Sequence, residues 1–202
     1  MITAYHFVGA TLRDGRAIPP DGEWLAHNGP VVMCESGLHA SLDPFDALQF
    51  APGETLCVVE CEDVVSEDVD KLVCRRRRII KRADATAMLR SFARAQALSV
   101  AHLWDCPPVV RQYLETGDES KSDAARAAAS AAARAAAWDA AASDAAWVAA
   151  RAASAASAAA WADASDAAWV ASAARAAARA ASDAAWSAAR ADFNRRVEEL
   201  FA

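Results

Sequence analysis

Between Ala124 and Ala191, 42 of 68 residues are alanine. Alanine has the highest helix propensity of any residue, and no glycine or proline follows Gly117, so this half of the chain can hardly be anything but helical. Asp118, Ser120 and Ser122 offer caps for its start. Read as one continuous helix to Leu200, the tract would hold about 80 residues and extend about 120 Å at 1.5 Å per residue. All 7 glycines and all 7 prolines lie at or before Gly117, which divides the chain into a mixed head, residues 1–117, and an Ala/Trp-rich tract, residues 118–202. The expected fold class is α+β: a small N-terminal α+β domain followed by a long Ala/Trp-rich α-helical tract, as an extended helix or coiled coil. A folded-back helical bundle is the alternative.

Alanine faces bury little area, so a lone alanine helix gains little tertiary stabilisation, although small side chains let two helix axes approach closely. The phrase Ser-Asp-Ala-Ala-Trp recurs at Ser143, Ser165 and Ser182, with offsets of 22 and 17 residues. At about 100° per residue, Trp147, Trp161, Trp169 and Trp186 fall on one side of a continuous helix. Four indoles over an alanine surface make a packing face, and self-association through it is the expected consequence. The absence of breakers favours the straight rod, whereas Ser-Asp pairs are good N-caps and favour new helices at Ser143, Ser165 and Ser182. Phe193, Val197, Leu200 and Phe201 continue an apolar face that would seal the end of an assembly.

In the head, Ile2 to Val8 reads as a strand, Val31 to Cys34 as a short strand and Thr55 to Glu62 as a buried strand. Asp43 with Pro44 opens a short helix to Phe50. Lys71 to Lys81 has β-favouring patches around its arginines. Asp84 caps a helix carrying Met88, Leu89, Phe92 and Ala95, and Pro107-Pro108 starts another that Gly117 stops.

The net charge of −6 argues against adhesion to nucleic acid or anionic membrane as the main activity, and charges stud the tract too closely for a membrane span. No secretory leader opens the sequence, so the expected location is the cytoplasm. Cys34, Cys57, Cys61, Cys74 and Cys106 lack the paired spacing of a zinc site and read as reduced, buried core residues. His6, His39, Cys34 and Glu35 have no recognised metal-ligand spacing, and no metal is expected. Arg75 to Arg78, with Lys81 and Arg82, is the one concentrated positive run. Strand alternation puts Arg75 and Arg77 on one face and Arg76 and Arg78 on the other beside Ile80. The run reads as a solvated strand offset by acids such as Glu62, and it lacks the interleaved aromatics of single-strand binding.

Tyr5-His6-Phe7, Leu12-Arg13-Asp14-Gly15-Arg16, the stretch Cys34 to Ser41, Ala51-Pro52-Gly53, Asp70 to Val73, His102 to Asp105 and Tyr113 to Asp118 carry a resemblance. Over nearly its full length the chain resembles bacteriophage-encoded proteins of unknown function in which a small N-terminal domain joins an Ala/Trp/Arg/Asp tract. The resemblance implies viral origin, an accessory role and the host cytoplasm as location. A second likeness is confined to the head. A strand with Tyr5-His6, then Gly37 to Ser41, a short helix and a hydrophobic strand looks like the element order of ADP-ribosyltransferases and RNA 2′-phosphotransferases. That likeness implies NAD or a related nucleotide as ligand, with His6 on a ribose hydroxyl or nicotinamide amide and His39 to Ser41 lining the same cleft. Arg13 and Arg16 would supply cations for a pyrophosphate.

Three functions follow as expectations. The first is a phage accessory protein that self-assembles through its tract, as a homo-oligomer without catalysis or cofactor, and displays the head. The second is a nucleotide-binding or nucleotide-modifying head with His6, Arg13, Arg16, His39 and Ser41 as ligand contacts. The third is an interaction module whose tract binds a helix of a host protein.

Overall fold

The computed structural model describes residues 1–139, 144–162, 172–173, 175–177 and 183–202. Contacts divide the chain into two compact units, Met1–Thr86 with Phe193–Ala202, and Ala87–Asp192. These boundaries do not follow the compositional one at Gly117. Amphipathic helices upstream of that glycine cluster with the alanine helices, and the last residues of the chain cluster with the head.

The first unit is built on strands β1 (Ile2–Val8), β2 (Trp24–Ala26), β3 (Leu38–Ala40), β4 (Thr55–Glu67) and β5 (Leu72–Asp84), with the short helix α1 (Pro44–Leu48). β4 and β5 form a long antiparallel hairpin, β1 pairs with β4, and β2 and β3 pair with successive stretches of the far edge of β5. Just past β3, Ser41 returns to β1. The Tyr5 N–H donates to the Ser41 carbonyl at 2.7 Å and the Ser41 N–H to the Tyr5 carbonyl at 2.9 Å. Strand pairing therefore runs β1–β4–β5–β3 and back to β1, which closes a ring. Register shifts at Val58/Val59 and Val64/Ser66 provide the local bend that closure requires. The ring's interior packs Ala4 and Val8 from β1, Leu38 and Ala40 from β3, Cys57, Val59 and Cys61 from β4, and Leu72, Cys74 and Ile79 from β5.

β1, α1, β4 and β5 lie where the sequence puts them, β4 and β5 extending further along the hairpin. The strand expected at Val31 to Cys34 is instead a turn held by an isolated Val32–Ser36 bridge. β2 and β3, at three residues each, are too short to show a period in sequence. At α1 the Asp43 carboxylate accepts the Phe45 N–H at 2.8 Å, and its other oxygen accepts from Asn194 Nδ2 at 2.9 Å. Asn194 belongs to the last helix, α6 (Asp183–Phe201). Phe193 and Val197 of that helix are buried, and Phe193 meets Phe45 edge-on with ring centres 5.7 Å apart. Phe193 and Val197 thus pack inside their own chain rather than sealing an assembly, and Leu200 and Phe201 are half-buried.

The second unit holds most of α2 (Thr86–Ser99), α3 (Pro108–Thr116), α4 (Ser122–Asp139) and α5 (Asp144–Ala162). α2 opens where expected, with Asp84 Oδ1 accepting the Thr86 N–H at 2.9 Å. α3 ends at Gly117, which takes the left-handed conformation at φ 67° and donates its N–H to the Tyr113 carbonyl. The continuous rod is overturned. α4 and α5 run antiparallel: Ser122 Oγ reaches the Ala160 carbonyl at 3.2 Å, the Arg126 guanidinium lies 4.3 Å from the Trp161 ring centre, and the Ser130 and Ser157 hydroxyls meet at 2.8 Å.

The physical reason is the small size of alanine. A solitary alanine helix leaves its backbone and methyl groups in water, whereas a hairpin of two lets the axes close up and bury them. Ala152, Ala153, Ala155, Ala156, Ala159 and Ala160 are all at most 1% exposed. The hydroxyls of Tyr113 and Ser122 also donate to the Ala159 and Ala160 carbonyls.

The folded-back alternative describes this part of the tract. α5 is described from Asp144 and α6 from Asp183, each the residue after a repeat serine. Ser143, Ser165 and Ser182 themselves lie outside the described residues. Of the four tryptophans assigned to assembly, Trp161 is held by Arg126 within the chain and Trp186 is half-buried. Trp169 and the side chain of Trp147 lie outside the described residues. No helix among the described residues is long and apolar enough to cross a membrane.

Candidate functional site

The interior of the strand ring is not wholly apolar. Alternation along β1 puts His6 on the side of Ala4 and Val8, and along β5 it puts Arg77 on the side of Ile79. A cavity of about 700 Å³ opens against both residues, a volume in the range of small-molecule sites. Its lining brings together His6, Arg13, Arg16, His39 and Ser41, the five positions picked from the sequence. It also takes in Arg77, which the sequence leaves among solvated arginines.

Arg77 is 6% exposed. Its guanidinium donates to the backbone carbonyl of His39, and among the described residues no carboxylate pairs with it. Buried charges are ordinarily paired, because an unpaired one costs several kcal/mol of desolvation. Of the other arginines of the run, exposed Arg75 donates to the Gly29 carbonyl at 3.1 Å, and the remaining three pair with carboxylates. Arg76 binds Glu62 and Arg78 binds Glu60, each at 2.7 Å, and Arg82 Nε donates to Asp21 at 2.6 Å. Trp24 of β2 lies under both Arg76 and Arg78, 4.5 and 4.7 Å from their guanidinium carbons, an aromatic partner that linear sequence hides. Those arginines are satisfied and Arg77 is not. Glu60 and Glu62 are held at the same time, away from the cavity lining.

Burial, then the charge of Arg77, then His39, push the His6 pKa well below the ordinary histidine value, so its imidazole is neutral at physiological pH. His39 is depressed for the same first two reasons, with a hydrogen bond to the Gly37 backbone opposing them. The His39 Nε2 accepts the Cys34 N–H at 3.1 Å, which assigns its proton to Nδ1. His39 is thereby a turn-holding histidine, pinning Cys34 in a left-handed conformation at φ 67° that non-glycine residues rarely adopt.

Ser41 is buried and closes the strand ring through its backbone. Arg13 and Arg16 sit on the exposed rim, Arg16 tied to Asp14 with Nε 2.8 Å from Oδ2. Lys71 also lines the cavity and lies 4.5 Å from the centre of the Phe50 ring.

The cysteines are free, but not uniformly buried as expected. Cys57, Cys61 and Cys74 are buried, Cys106 is half-buried and Cys34 is exposed at a loop tip. Burial pushes the Cys57 thiol up to about 11. A hydrogen bond between Cys61 and Cys74 raises the first and lowers the second. Among the described residues no group of three His, Cys, Asp or Glu side chains could hold a metal ion.

The turn leading into β3 depends on Gly37. Its φ is 110°, and a Cβ there would come within 2.7 Å of Val73 Cγ2 and 2.9 Å of Val31 Cγ1. Gly37→Ala is therefore expected to destabilise the first unit by about 1–3 kcal/mol, read as a lowered denaturation midpoint. An unchanged midpoint would mean that the turn is free to rearrange.

All the cavity-lining residues lie between Tyr5 and Arg77. Residues 2–91 match the family model of a domain of unknown function, DUF7666. The matched segment contains the whole cavity and stops within α2, before the alanine helices. No curated protein and no solved structure matches the chain.

Proposed function

We propose that the head is a binding module for a phosphate-bearing small molecule of nucleotide size, in the class of NAD, ADP-ribose and their mononucleotides. The observation that carries this reading is Arg77, a buried guanidinium without a carboxylate, on the wall of a cavity large enough for a mononucleotide. An anionic ligand would supply the missing counter-charge, and charge-assisted bonds to a guanidinium are the strong ones. Arg13 at the rim supplies a second cation. The likeness of Tyr5-His6 and Gly37 to Ser41 to the ADP-ribosyltransferase and RNA 2′-phosphotransferase order favours a nucleotide over other anions. With the likeness to phage-encoded proteins, the reading makes the chain a viral accessory acting in the host cytoplasm.

No catalytic step is assigned, because the glutamates nearest the transferase order, Glu60 and Glu62, are engaged by arginines. Self-assembly and capture of a host helix both need an uncovered alanine face. Along α5 that face is covered within the chain, so the alanine hairpin is read as a packing element.

Thermal denaturation of the full chain with AMP, ADP-ribose or NAD tests the proposal. A ligand at about 100 times its dissociation constant stabilises by about 2.7 kcal/mol, which moves a chain of this size by about 5–10 °C. His6→Ala combined with Arg13→Ala is expected to shrink that shift. No shift with any of the three nucleotides would remove the reading.

A further inference from the structure

The cavity constrains which part of a ligand enters it. Arg77 lies inside the strand ring, in the wall that also holds Ile79 and the thiols of Cys57, Cys61 and Cys74. These neighbours are apolar or weakly polar, so none competes with the guanidinium for an anion. One of its N–H groups serves the His39 carbonyl, and a guanidinium has five. The remaining donors suit a group with several exposed oxygens. Each phosphorus of an internal diphosphate presents two free oxygens, whereas a phosphate monoester presents three on one phosphorus. A terminal phosphate monoester meets the requirement.

The same seat decides where a proton goes. From β5 it faces Arg77, from the turn just before β5 Lys71, from β3 His39 and from β1 His6, and on β4 Cys57 pairs in register with His6. The loops bring Arg13 and the Asp14–Arg16 pair to the rim, and Glu35 lies on the turn before β3. Cys57 is held protonated by burial. The His39 Nε2 lone pair is committed to the Cys34 N–H, so protonating it would break the turn. Among the described residues the His6 side chain makes no hydrogen bond, and its charged form is opposed first by burial and then by Arg77. A phosphate dianion at Arg77 offsets the share of that opposition that comes from Arg77 and offers an acceptor to an imidazolium.

We propose, on the footing of the nucleotide reading above, that the cavity selects a terminal phosphate ester seated between Arg77 and His6, and that seating it brings a proton onto His6. Binding is then linked to proton uptake.

Isothermal titration of the full chain with AMP and with NAD at about pH 6.5, near the ordinary histidine pKa, in buffers of different ionisation enthalpy tests both halves. AMP ends in a phosphate monoester and NAD has only an internal diphosphate. AMP is expected to bind at least about tenfold more tightly than NAD, the equivalent of one charge-assisted hydrogen bond. Its observed heat is expected to vary with buffer so as to report uptake of up to one proton, and His6→Gln is expected to remove that dependence. A phosphate that itself sheds a proton on binding contributes equally to both proteins, so the difference between them isolates His6. NAD binding as tightly as AMP would overturn the terminal-phosphate selection while leaving the nucleotide reading intact. Tight AMP binding with the same proton count in wild type and His6→Gln would overturn the proton step. Absence of binding by either nucleotide would overturn the nucleotide reading and this inference together. If His6→Gln fails to fold, nitrogen-15 NMR of the wild-type histidine rings decides the matter, since AMP bound with His6 still neutral contradicts the proposal by itself.

Discussion

Arg77→Met is expected to make the ligand-free protein more stable and to abolish its response to AMP. Removing an unpaired buried charge in favour of an apolar side chain of similar length recovers desolvation free energy, and such replacements of buried ionic groups stabilise by up to about 1–4 kcal/mol. The lost hydrogen bond to the His39 carbonyl costs about 1 kcal/mol in return. A net gain near 1–2 kcal/mol raises the melting temperature of a chain this size by about 2–8 °C. Differential scanning calorimetry with and without AMP checks both effects in one protein. Gain of stability with loss of ligand response is the pattern of a residue kept for binding at a cost to the fold. A lower melting temperature with an unchanged AMP response would mean that Arg77 is a structural arginine whose counter-charge comes from elsewhere.

Phe193→Ala is expected to cost about 3–5 kcal/mol, a large part of the 5–15 kcal/mol that holds a typical domain together. Phe193 is 0% exposed and meets Phe45 on α1, and its neighbour Asn194 holds the Asp43 carboxylate that caps the same helix. The loss is therefore expected in the first unit, as faster proteolysis or amide exchange over residues 43–50. Trp161→Ala is the control. That indole is 38% exposed and touched by Arg126, so its removal removes less buried area and is expected to cost about 1 kcal/mol. Equal and small effects at both positions would show that the chain's last turns are not part of the head's core.

The legible parts of the fold are those with local physical causes. Asp43 before Pro44, Asp84 before Thr86 and Gly117 after Thr116 set helix ends that caps and left-handed glycines determine within a few residues. β1 and the β4–β5 hairpin carry enough residues to show their period. β2 and β3 do not, and they exist because β5 offers an edge that only the folded hairpin creates.

The alanine tract shows the opposite limit. Composition fixes helix, but alanine specifies no face, so nothing in the period distinguishes a rod from a hairpin. What decides is pairing between residues some 27 to 38 positions apart, such as Ser130 with Ser157 and Ser122 with Ala160.

At the site, His6, Arg13, Arg16, His39 and Ser41 line one cavity. Arg77 escapes because Ile79 and Ile80 give both parities of β5 an apolar residue, so alternation cannot say which arginines point inward. Ile80 proves exposed and Ile79 buried, and with that Arg77 becomes interior.

The central claim is that an anion sits between Arg77 and His6. Titration of the full chain with inorganic phosphate, followed by nitrogen-15 NMR of the histidine rings, tests it most directly. The account predicts that the His6 ring nitrogens shift saturably toward the protonated form while His39 keeps its Nδ1 proton and its bond to Cys34, and that Arg77→Met removes the change. Histidine spectra that stay unchanged into the tens of millimolar, or a response at His39 alone, would contradict it.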